Sequence, residues 1–481
     1  MVDRNMIRIV RQFTLLDCDS IQLLSTKLQN CAGLCVLNYS SQTVIGVYPK
    51  WQLVALSATN TLLRTRQGLQ QHCITLTEHF FDALTRYSPI LAKSKLYEQT
   101  APAVSFTPTS STGDKVFGGG LMGFIGYDLA ASQMVALKHI ESPAAIMGEY
   151  DIFFRQEISA LGDTYWQLYG PDLPELNEIY AFLRALTDEC CGSRHTTKPI
   201  ILKLEQAFQP VWQFAHYQQA FDKIQDYLKQ GDCYQVNLTQ PFQAVMQGSL
   251  MAALDPLMHL TNASYGGFIK YGDFELLSCS PELFIEFSAN GELITKPIKG
   301  TRPRHSDAEV DAVLKQQLIE SEKDRSENLM IVDLLRNDLS VYAQTGSVQV
   351  PALFQVESFA QVHHLVSEIR ATLKPDASAL DVLFRALPGG SITGAPKIRA
   401  MQIIDELEAQ SRGAYCGSMG FLNNDGTGCF NILIRSLQKR SNTVTAWAGG
   451  GITIASDCDD EYQECLDKIG AILTCVNDLY E

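Results

Sequence analysis

The chain has 481 residues, of which 46% are hydrophobic and 19% are charged, so its composition is that of a globular protein rather than a disordered one. Its formal net charge is −15 (38 Lys and Arg against 53 Asp and Glu), which argues against nucleic acid or an acidic membrane surface as the main partner. Local cations must therefore hold any anionic substrate, because the overall field of the protein repels it.

The cysteines and the N-terminus indicate the compartment. Thirteen cysteines are present without a Cys-x-x-Cys pair, and this odd count without zinc-ligand spacing predicts reduced thiols. Arg4, Arg8 and Arg11 resemble the basic head of a signal peptide, but the apolar stretch that follows, 13–16, is too short. No run of about eighteen apolar residues occurs, so we expect a soluble, cytoplasmic protein without a membrane span.

Residues 1–187 are predicted to form a strand-rich half. Short β-type runs such as 51–56 are separated by turn residues. The glycine-rich segment 117–128 lacks the spacing of a dinucleotide-binding fingerprint, and we expect its glycines to allow close packing between strands. A polar stretch with Gly and Pro follows, so we place a linker region at 188–209 and a second half at 210–481.

The second half opens with a predicted helix. Tyr217, Phe221, Ile224 and Leu228 recur at three- and four-residue spacing, and Gly231 is placed to end the helix. Further helices are predicted at 310–318, 329–339, 397–407 and about 459–479, and strands at 233–238, 292–295 and 443–448.

The segment 296–304 is predicted to be a loop that aims a lysine. Pro297 fixes the backbone before Lys299, and Gly300 frees it immediately afterwards. An ammonium in a site that excludes water loses its proton readily, so Lys299 is a candidate nucleophile. A basic surface turn is the structural alternative.

The final helix carries Glu461, Glu464 and Lys468 on one face, because they are spaced i, i+3 and i+7. Two carboxylates one turn apart form a good half-site for Mg²⁺, which takes few oxygen ligands and keeps its waters. Glu327 supplies a possible second half. A solvated Glu–Lys pair is the structural alternative.

Two other segments combine polar groups with an ordered frame. The charges of Arg336 and Asp338 lie within an apolar helix and must be paired or bound, which favours structural ion pairs. The segment 388–397 does not match a phosphate-binding Walker loop, but its amides and hydroxyls predict an anion or carboxylate cradle at a helix start. The adjacent histidines at 363–364, and Arg435, are further candidate ligand contacts.

These segments, in this order, resemble the chorismate-utilising enzymes over 210–481, and more loosely before that. Within the family the resemblance is to the component I subunits that make 4-amino-4-deoxychorismate for p-aminobenzoate and folate synthesis. It implies an α+β fold in which both halves form one large two-sheet sandwich with outer helices. The matching segments are 231–238, 280–282, 296–304, 327–339, 362–367, 388–397 and 449–452.

The resemblance also implies roles for individual residues. Glu282 matches the family's general acid for the departing C4 hydroxyl, and Glu327 and Glu464 match its Mg²⁺ ligands, with Glu461 close to the metal. Thr301 and His364 are expected to line the substrate ring. The groups expected to hold the substrate's carboxylates are Tyr415, Arg435, Lys468 and the backbone near Ser391 and Gly450.

Two positions select one reaction from those of the family. Anthranilate synthases resemble this chain but have alanine at the position of Lys299. Isochorismate and salicylate synthases have a water-activating lysine at the position of Gln235, and glutamine cannot act as that base. We therefore expect Lys299 to attack C2 of chorismate while Glu282 protonates the leaving hydroxyl, after which ammonia adds at C4 and expels the lysine.

The source of ammonia is expected to be a partner. The sequence contains no Gly-x-Cys-x-Gly nucleophile turn, so the resemblance implies a heterodimer with a glutamine amidotransferase subunit. One alternative function is anthranilate synthase component I. The other is a non-catalytic regulator that binds tryptophan or chorismate, although 36–40 departs from the family's tryptophan-pocket motif.

Overall fold

The computed structural model of the protein describes residues 7–14, 21–39, 42–88, 116–191, 202–359, 362–408 and 410–478. This described part forms two antiparallel sheets of twelve strands each. Helices pack on the outer faces of both sheets. The predicted two-sheet sandwich with outer helices is therefore confirmed.

Each element is defined here by its residues. The strands are β1 (Ile7–Phe13), β2 (Cys35–Tyr39), β3 (Gln42–Gly46), β4 (Trp51–Ala55), β5 (Thr61–Gln67), β6 (Gln70–Leu76), β7 (Gly120–Ile125), β8 (Ala145–Tyr150), β9 (Phe153–Ile158), β10 (Thr164–Pro171), β11 (Leu202–Pro210), β12 (Gln235–Gly248), β13 (Tyr265–Tyr271), β14 (Phe274–Ser280), β15 (Leu283–Phe287), β16 (Glu292–Lys296), β17 (Ile298–Pro303), β18 (Gln349–Ser358), β19 (Val362–Thr372), β20 (Gly394–Ala395), β21 (Ser418–Asn423), β22 (Gly428–Asn431), β23 (Ser436–Arg440) and β24 (Thr443–Ile452). The helices are α1 (Ile21–Leu28), α2 (Phe80–Tyr87), α3 (Tyr127–Ala131), α4 (Asn177–Cys191), α5 (Phe214–Gln230), α6 (Leu254–Thr261), α7 (Ala308–Glu320), α8 (Glu322–Ser340), α9 (Ala379–Ala386), α10 (Lys397–Leu407) and α11 (Cys458–Asp478).

Both sheets take strands from both predicted halves of the chain. The first has the order β1-β10-β9-β3-β2-β13-β14-β23-β24-β12-β11, with β20 paired to β12, and the second has the order β17-β19-β16-β15-β22-β21-β7-β8-β4-β5-β6, with β18 paired to β19. The halves are joined where β2 pairs with β13 and where β7 pairs with β21. The predicted linker, 188–209, begins within α4 and ends within β11, and the division into halves stays a prediction.

The two sheets meet through apolar side chains. Phe124 of β7 stacks on Phe274 of β14, with 5.7 Å between ring centroids. Gly123 of β7 allows β7 and β8 to approach each other closely, because a Cβ at this position would overlap the carbonyl oxygen of Ile146 on β8. The prediction that this glycine-rich segment serves strand packing is confirmed.

Local signals located several elements well. Helix α5 ends at Gly231, which has the left-handed φ of 79° that glycine adopts without strain. Helix α10 spans Lys397–Leu407, as its spacing predicts. No helix within the described residues is long and apolar enough to cross a membrane.

The prediction of a loop at 296–304 is wrong for its central part. Residues Ile298–Pro303 form β17, an edge strand that hydrogen-bonds to β19. Gly300, with φ +73°, lies at a bulge in this pairing between Lys299 and Thr301. A bulge needs the same backbone freedom as a turn, so a glycine at this position is compatible with a loop or with a bulged strand. The segment forms a strand because it pairs with β19.

Candidate functional site

Lys299 is held by strand pairing and by the helix packed on it. It lies opposite Leu365 of β19, and its side chain is half-buried. A Cβ on Gly300 would come within 2.8 Å of both Leu318 Cδ1 and Asp324 Cγ, so α7 and α8 approach the strand closely at this bulge. No described residue forms a hydrogen bond or an ion pair with the Lys299 ammonium.

Glu282 is a buried carboxyl group that follows β14. It is 7% exposed and accepts a hydrogen bond from Ser391 Oγ at 3.3 Å. Burial raises the pKa of Glu282 to about 7, against the charges of Lys299, Arg435 and Lys468 and the Ser391 hydrogen bond, which lower it. A substantial fraction of this carboxyl is therefore protonated near neutral pH and can donate a proton.

The segment that contains Ser391 is fixed by a buried arginine. Arg412 is 1% exposed and donates hydrogen bonds to the carbonyl oxygens of Ile392 (3.1 Å) and Asn237 (2.7 Å). Glu408 pairs with the same guanidinium at 2.6 Å. The predicted cradle thus has a rigid backbone, and Arg412, which the sequence did not single out, holds it.

Glu461 of α11 is an almost completely buried carboxylate. It is 3% exposed and accepts hydrogen bonds from Ser456 Oγ at 2.8 Å and from the Lys323 ammonium at 3.4 Å. A Cβ on Gly450 would lie 2.9 Å from Glu461 Oε2 and 3.6 Å from Lys468 Nζ, so glycine leaves these groups their space.

Glu327 and Glu464 belong to the same charged cluster as Glu461. Burial raises the pKa of Glu327, the charges of Lys299 and Lys323 oppose the rise, and the negative charges of Glu461 and Glu464 add to it. No described residue forms a hydrogen bond or an ion pair with the Glu327 carboxylate. The final helix and α8 therefore bring the three predicted metal-binding carboxylates within electrostatic reach of one another.

Glu464 is paired within its own helix. Its Oε1 lies 2.8 Å from Lys468 Nζ, which also donates to the carbonyl oxygen of Gly449 at 3.0 Å. Burial works to raise the pKa of Glu464, but the charge and hydrogen bond of Lys468, with the charges of Lys323 and Lys299, lower it overall. Glu464 is thus an ionised carboxylate at neutral pH.

The donor set of this cluster fits Mg²⁺. Among the described residues, no group of three or more His, Cys, Asp or Glu side chains is already arranged as a metal cage. Mg²⁺ does not need such a cage, because it is commonly held by one or two carboxylates and keeps several waters. The unpartnered, half-buried carboxylate of Glu327 opposite α11 is the kind of group that such an ion satisfies.

Two donors among the predicted site residues lack side-chain partners in the described part of the chain. Gln235 is 1% exposed, its Nε2 has no hydrogen-bond partner, and it packs directly over Gly451. Arg435 is half-buried and has a positive φ of 50°, and burial lowers its pKa. Both donors are available to an anionic ligand.

The remaining predicted ligand contacts differ in exposure. Thr301 is exposed, and its Oγ1 lies 2.9 Å from Nδ1 of the buried His364. Burial and the Arg435 charge lower the pKa of His364 to about 4, so its imidazole is neutral. Tyr415 is buried and stacks on Trp447, with 6.0 Å between ring centroids.

Some candidate residues have structural partners instead. His363 is 1% exposed and is held between Ser358 Oγ (2.8 Å) and Asp311 Oδ1 (3.1 Å), so it is not a free ligand contact. The expected ion pairs are confirmed, since Asp338 pairs with Lys397 at 2.7 Å and Arg336 pairs with Asp333 at 3.1 Å.

The sequence reasoning missed Lys323 as well as Arg412. Lys323 lies four residues before Glu327 in α8, so helical spacing alone puts both on one face and could have identified it. The i,i+4 spacing of Glu408 and Arg412 could have identified their ion pair, but the contacts of Arg412 with Ile392 and Asn237 leave no local signal, because those partners are distant in sequence.

Comparisons with known proteins identify the family of this chain. The family model described as chorismate binding enzyme matches residues 55–474. Aminodeoxychorismate synthase component 1 of Klebsiella aerogenes is 40% identical over 439 residues, which are 89% of this chain and 89% of that protein. The protein of the same name from Salmonella typhimurium is 42% identical over 364 residues, 75% of this chain and 77% of that one.

A solved structure has the same overall fold. Anthranilate synthase component I from Streptococcus pneumoniae superposes with a TM-score of 0.71 at 26% sequence identity. The superposition covers 90% of this chain and 92% of that one, so the similarity extends over most of both chains.

Proposed function

The chain belongs to the chorismate-binding enzyme family, and we propose that it converts chorismate and ammonia to 4-amino-4-deoxychorismate, for p-aminobenzoate and folate synthesis. The names of the relatives from Klebsiella and Salmonella describe this synthase, and their similarity spans most of the chain. The observation that carries the proposal is that Lys299, which has no hydrogen-bond or ion-pair partner among the described residues, lies within electrostatic reach of a buried carboxyl, Glu282, whose pKa is about 7.

Substrate binding relies on local cations in a protein of net charge −15. We assign the carboxylates of chorismate to Tyr415, Arg435 and Lys468, together with the backbone near Ser391 and Gly450. The support is that the Gln235 amide nitrogen has no partner among the described residues, and that the Arg435 guanidinium forms no hydrogen bond or ion pair with them. His364 and Thr301 are assigned to the wall beside the ring, with the imidazole neutral.

A Mg²⁺ ion would be held by Glu327 and Glu464, with Glu461 adjacent. Such an ion would screen a substrate carboxylate and so reduce the charge that the site has to accommodate. The three carboxylates repel one another, and Glu327 has no partner among the described residues, which is the physical reason to expect a further cation among them.

The reaction proceeds in two displacement steps. Lys299 first releases its ammonium proton to solvent. Glu282 then donates its proton to the C4 hydroxyl, which leaves as water, while the neutral amine of Lys299 forms a bond to C2 and both ring double bonds shift. Ammonia then forms a bond to C4, the double bonds shift back, and the C2–N bond to Lys299 breaks. Surplus protons on nitrogen return to Glu282 and to solvent, which regenerates both groups. Gln235 has no basic nitrogen, so it does not activate water for attack at C2.

Ammonia is supplied by a partner in this proposal. The term component 1 in the names of the relatives describes one subunit of an assembly, and this sequence has no Gly-x-Cys-x-Gly nucleophile turn. We assign the partner as a glutamine amidotransferase subunit, which hydrolyses glutamine and forms a heterodimer with this chain. A cytoplasmic location is supported by the free thiols of the described cysteines.

The alternative function is anthranilate synthesis, which the similarity to the Streptococcus pneumoniae structure favours. The two reactions use the same substrates, so product identity separates them. Incubation with chorismate, Mg²⁺ and ammonium, followed by mass spectrometry, tests the proposal. A product that retains the enolpyruvyl group supports it, whereas anthranilate and free pyruvate contradict it.

A further inference from the structure

Lys323 neutralises the buried carboxylate of Glu461 although it has no role in the proposed reaction. Its ammonium lies 3.4 Å from Glu461 Oε1. The lysine side chain is 56% exposed, whereas the glutamate side chain is 3% exposed. Apart from Lys323, the described partner of this carboxylate is the neutral Ser456 hydroxyl at 2.8 Å. A buried carboxylate with a single hydroxyl partner is costly, so the lysine stabilises this arrangement.

The same ammonium lies among all three predicted metal-binding carboxylates. Lys323 is one helical turn before Glu327 on α8. It is also within electrostatic reach of Glu464, across the gap to α11. The Lys323 ammonium is therefore already close to the carboxylates that would surround a Mg²⁺ ion. It forms an ion pair with one of them, Glu461, which the ion would approach.

We propose that Lys323 is a displaceable counter-ion, which stabilises the metal-free form and competes with Mg²⁺ for the carboxylate cluster of Glu327, Glu461 and Glu464. This inference rests on the proposed function, because it takes Mg²⁺ as the cation of the site. A lysine suits the role, since the long flexible stem of an exposed side chain lets its ammonium move into solvent when the ion arrives. Metal binding then replaces the Lys323–Glu461 ion pair, and the Glu461 carboxylate has a counter-ion both with and without the metal.

Direct titration of Mg²⁺ into the metal-free full-length protein by calorimetry tests the competition. Lys323→Met removes the competing charge and is expected to bind Mg²⁺ about three- to tenfold more tightly than the wild type, as the loss of a partly exposed ion pair predicts. Lys323→Arg keeps the charge and is expected to bind within about twofold of the wild type. Lys315→Met is the matched control, since it makes the same change in net charge from an exposed position on α7.

Thermal unfolding gives a second readout that does not depend on turnover. In EDTA, Lys323→Met is expected to melt below the wild type, because Glu461 keeps its charge and loses its counter-ion. In saturating Mg²⁺ this difference is expected to disappear. Lys315→Met is expected to melt like the wild type in both conditions.

Several outcomes would overturn the inference. Mg²⁺ binding by Lys323→Met that is unchanged or weaker contradicts competition, and tighter binding by Lys323→Arg as well contradicts a role for the charge. Glu464→Gln separates this failure from a failure of the metal site. If Glu464→Gln weakens Mg²⁺ binding while Lys323→Met has no effect, only the counter-ion role is wrong. If Glu464→Gln binds Mg²⁺ like the wild type, the metal site and the counter-ion role both fail.

Discussion

The hydroxyl of Ser391 donates a hydrogen bond to the carboxyl group of Glu282, with 3.3 Å between Oγ and Oε1. This contact joins the predicted carboxylate cradle to the predicted acid, although the two residues are 109 positions apart in the chain. Since Arg412 fixes the neighbouring Ile392 carbonyl, the donor of this hydrogen bond is held in place by a buried network. The protonation of Glu282 is therefore linked to the segment that is predicted to bind the substrate.

The first prediction concerns pH. We propose that Glu282 acts in its protonated form, and its pKa is about 7, so kcat/KM is expected to fall as pH rises through about 7. Ser391→Ala removes a hydrogen bond that lowers this pKa, so the descending limb is expected to move to higher pH. The kcat of Glu282→Gln is expected to be about 10²- to 10⁴-fold lower, and its pH profile is expected to have no descending limb near pH 7. A descending limb that stays in place in Glu282→Gln would assign it to another group.

The same shift has a consequence for stability. The folded pKa of Glu282 lies above its ordinary value of 4.5, so the folded state binds more protons between these two values. The contribution of this carboxyl is therefore present below about pH 4.5 and is lost as pH rises through about 7. Chemical denaturation of the wild type and Glu282→Gln across this range measures it, and parallel pH dependence of the two proteins would contradict the shift.

The second prediction concerns the nucleophile. Lys299→Ala and Lys299→Arg are both expected to lose on the order of 10³-fold or more in ammonia-dependent kcat, because neither side chain supplies a neutral primary amine. Lys296→Ala is the control from the same segment, since Lys296 is paired with Glu368 at 3.0 Å. Steady-state kinetics with saturating ammonium measures the effect. Full activity in Lys299→Ala would rule out the covalent route.

The third prediction concerns the bulge that positions Lys299. Gly300→Ala adds a Cβ 2.8 Å from Asp324 Cγ at a φ of +73°. Gly231→Ala is the matched control, because Gly231 has a similar φ of +79° and a Cβ added there would meet no atom within 4 Å. Denaturant unfolding is expected to show that Gly300→Ala costs about 1–3 kcal/mol more than Gly231→Ala, owing to overpacking. Equal losses would show that the helix does not constrain the bulge.

The fourth prediction concerns the metal. Glu327→Gln and Glu464→Gln are each expected to abolish Mg²⁺-dependent turnover, because an amide oxygen is a weaker ligand that carries no charge. Glu320→Gln, at an exposed position at the end of α7, is the control. Rates measured against Mg²⁺ concentration test the assignment. A variant that keeps the wild-type response to Mg²⁺ would remove its residue from the set of ligands.

Local periodicity predicted the elements whose determinants are close in sequence. The end of α5 at Gly231 depends on one residue, and the shared face of Glu461 and Glu464 depends only on helical spacing. The same rule would have added Lys323, four residues before Glu327. These features are predictable because the geometry of a helix does not depend on the rest of the fold.

Long-range pairing explains what the sequence could not predict. The strand that carries Lys299 forms because β19 offers it an edge, and that edge lies about 65 residues further along the chain. Arg412 reaches the carbonyl oxygen of Asn237 across 175 positions. Neither contact leaves a periodic signal, so only the folded chain brings these residues to the site.

The position at which nitrogen enters the ring tests the central claim most directly. The protein is incubated with chorismate, Mg²⁺ and ¹⁵N-labelled ammonium, and the product is identified by mass spectrometry and NMR. We predict that the label is bonded to C4 and that the enolpyruvyl group is retained, in a reaction that Lys299→Ala does not support. A label at C2 in an aromatic product, with release of pyruvate, would contradict the account.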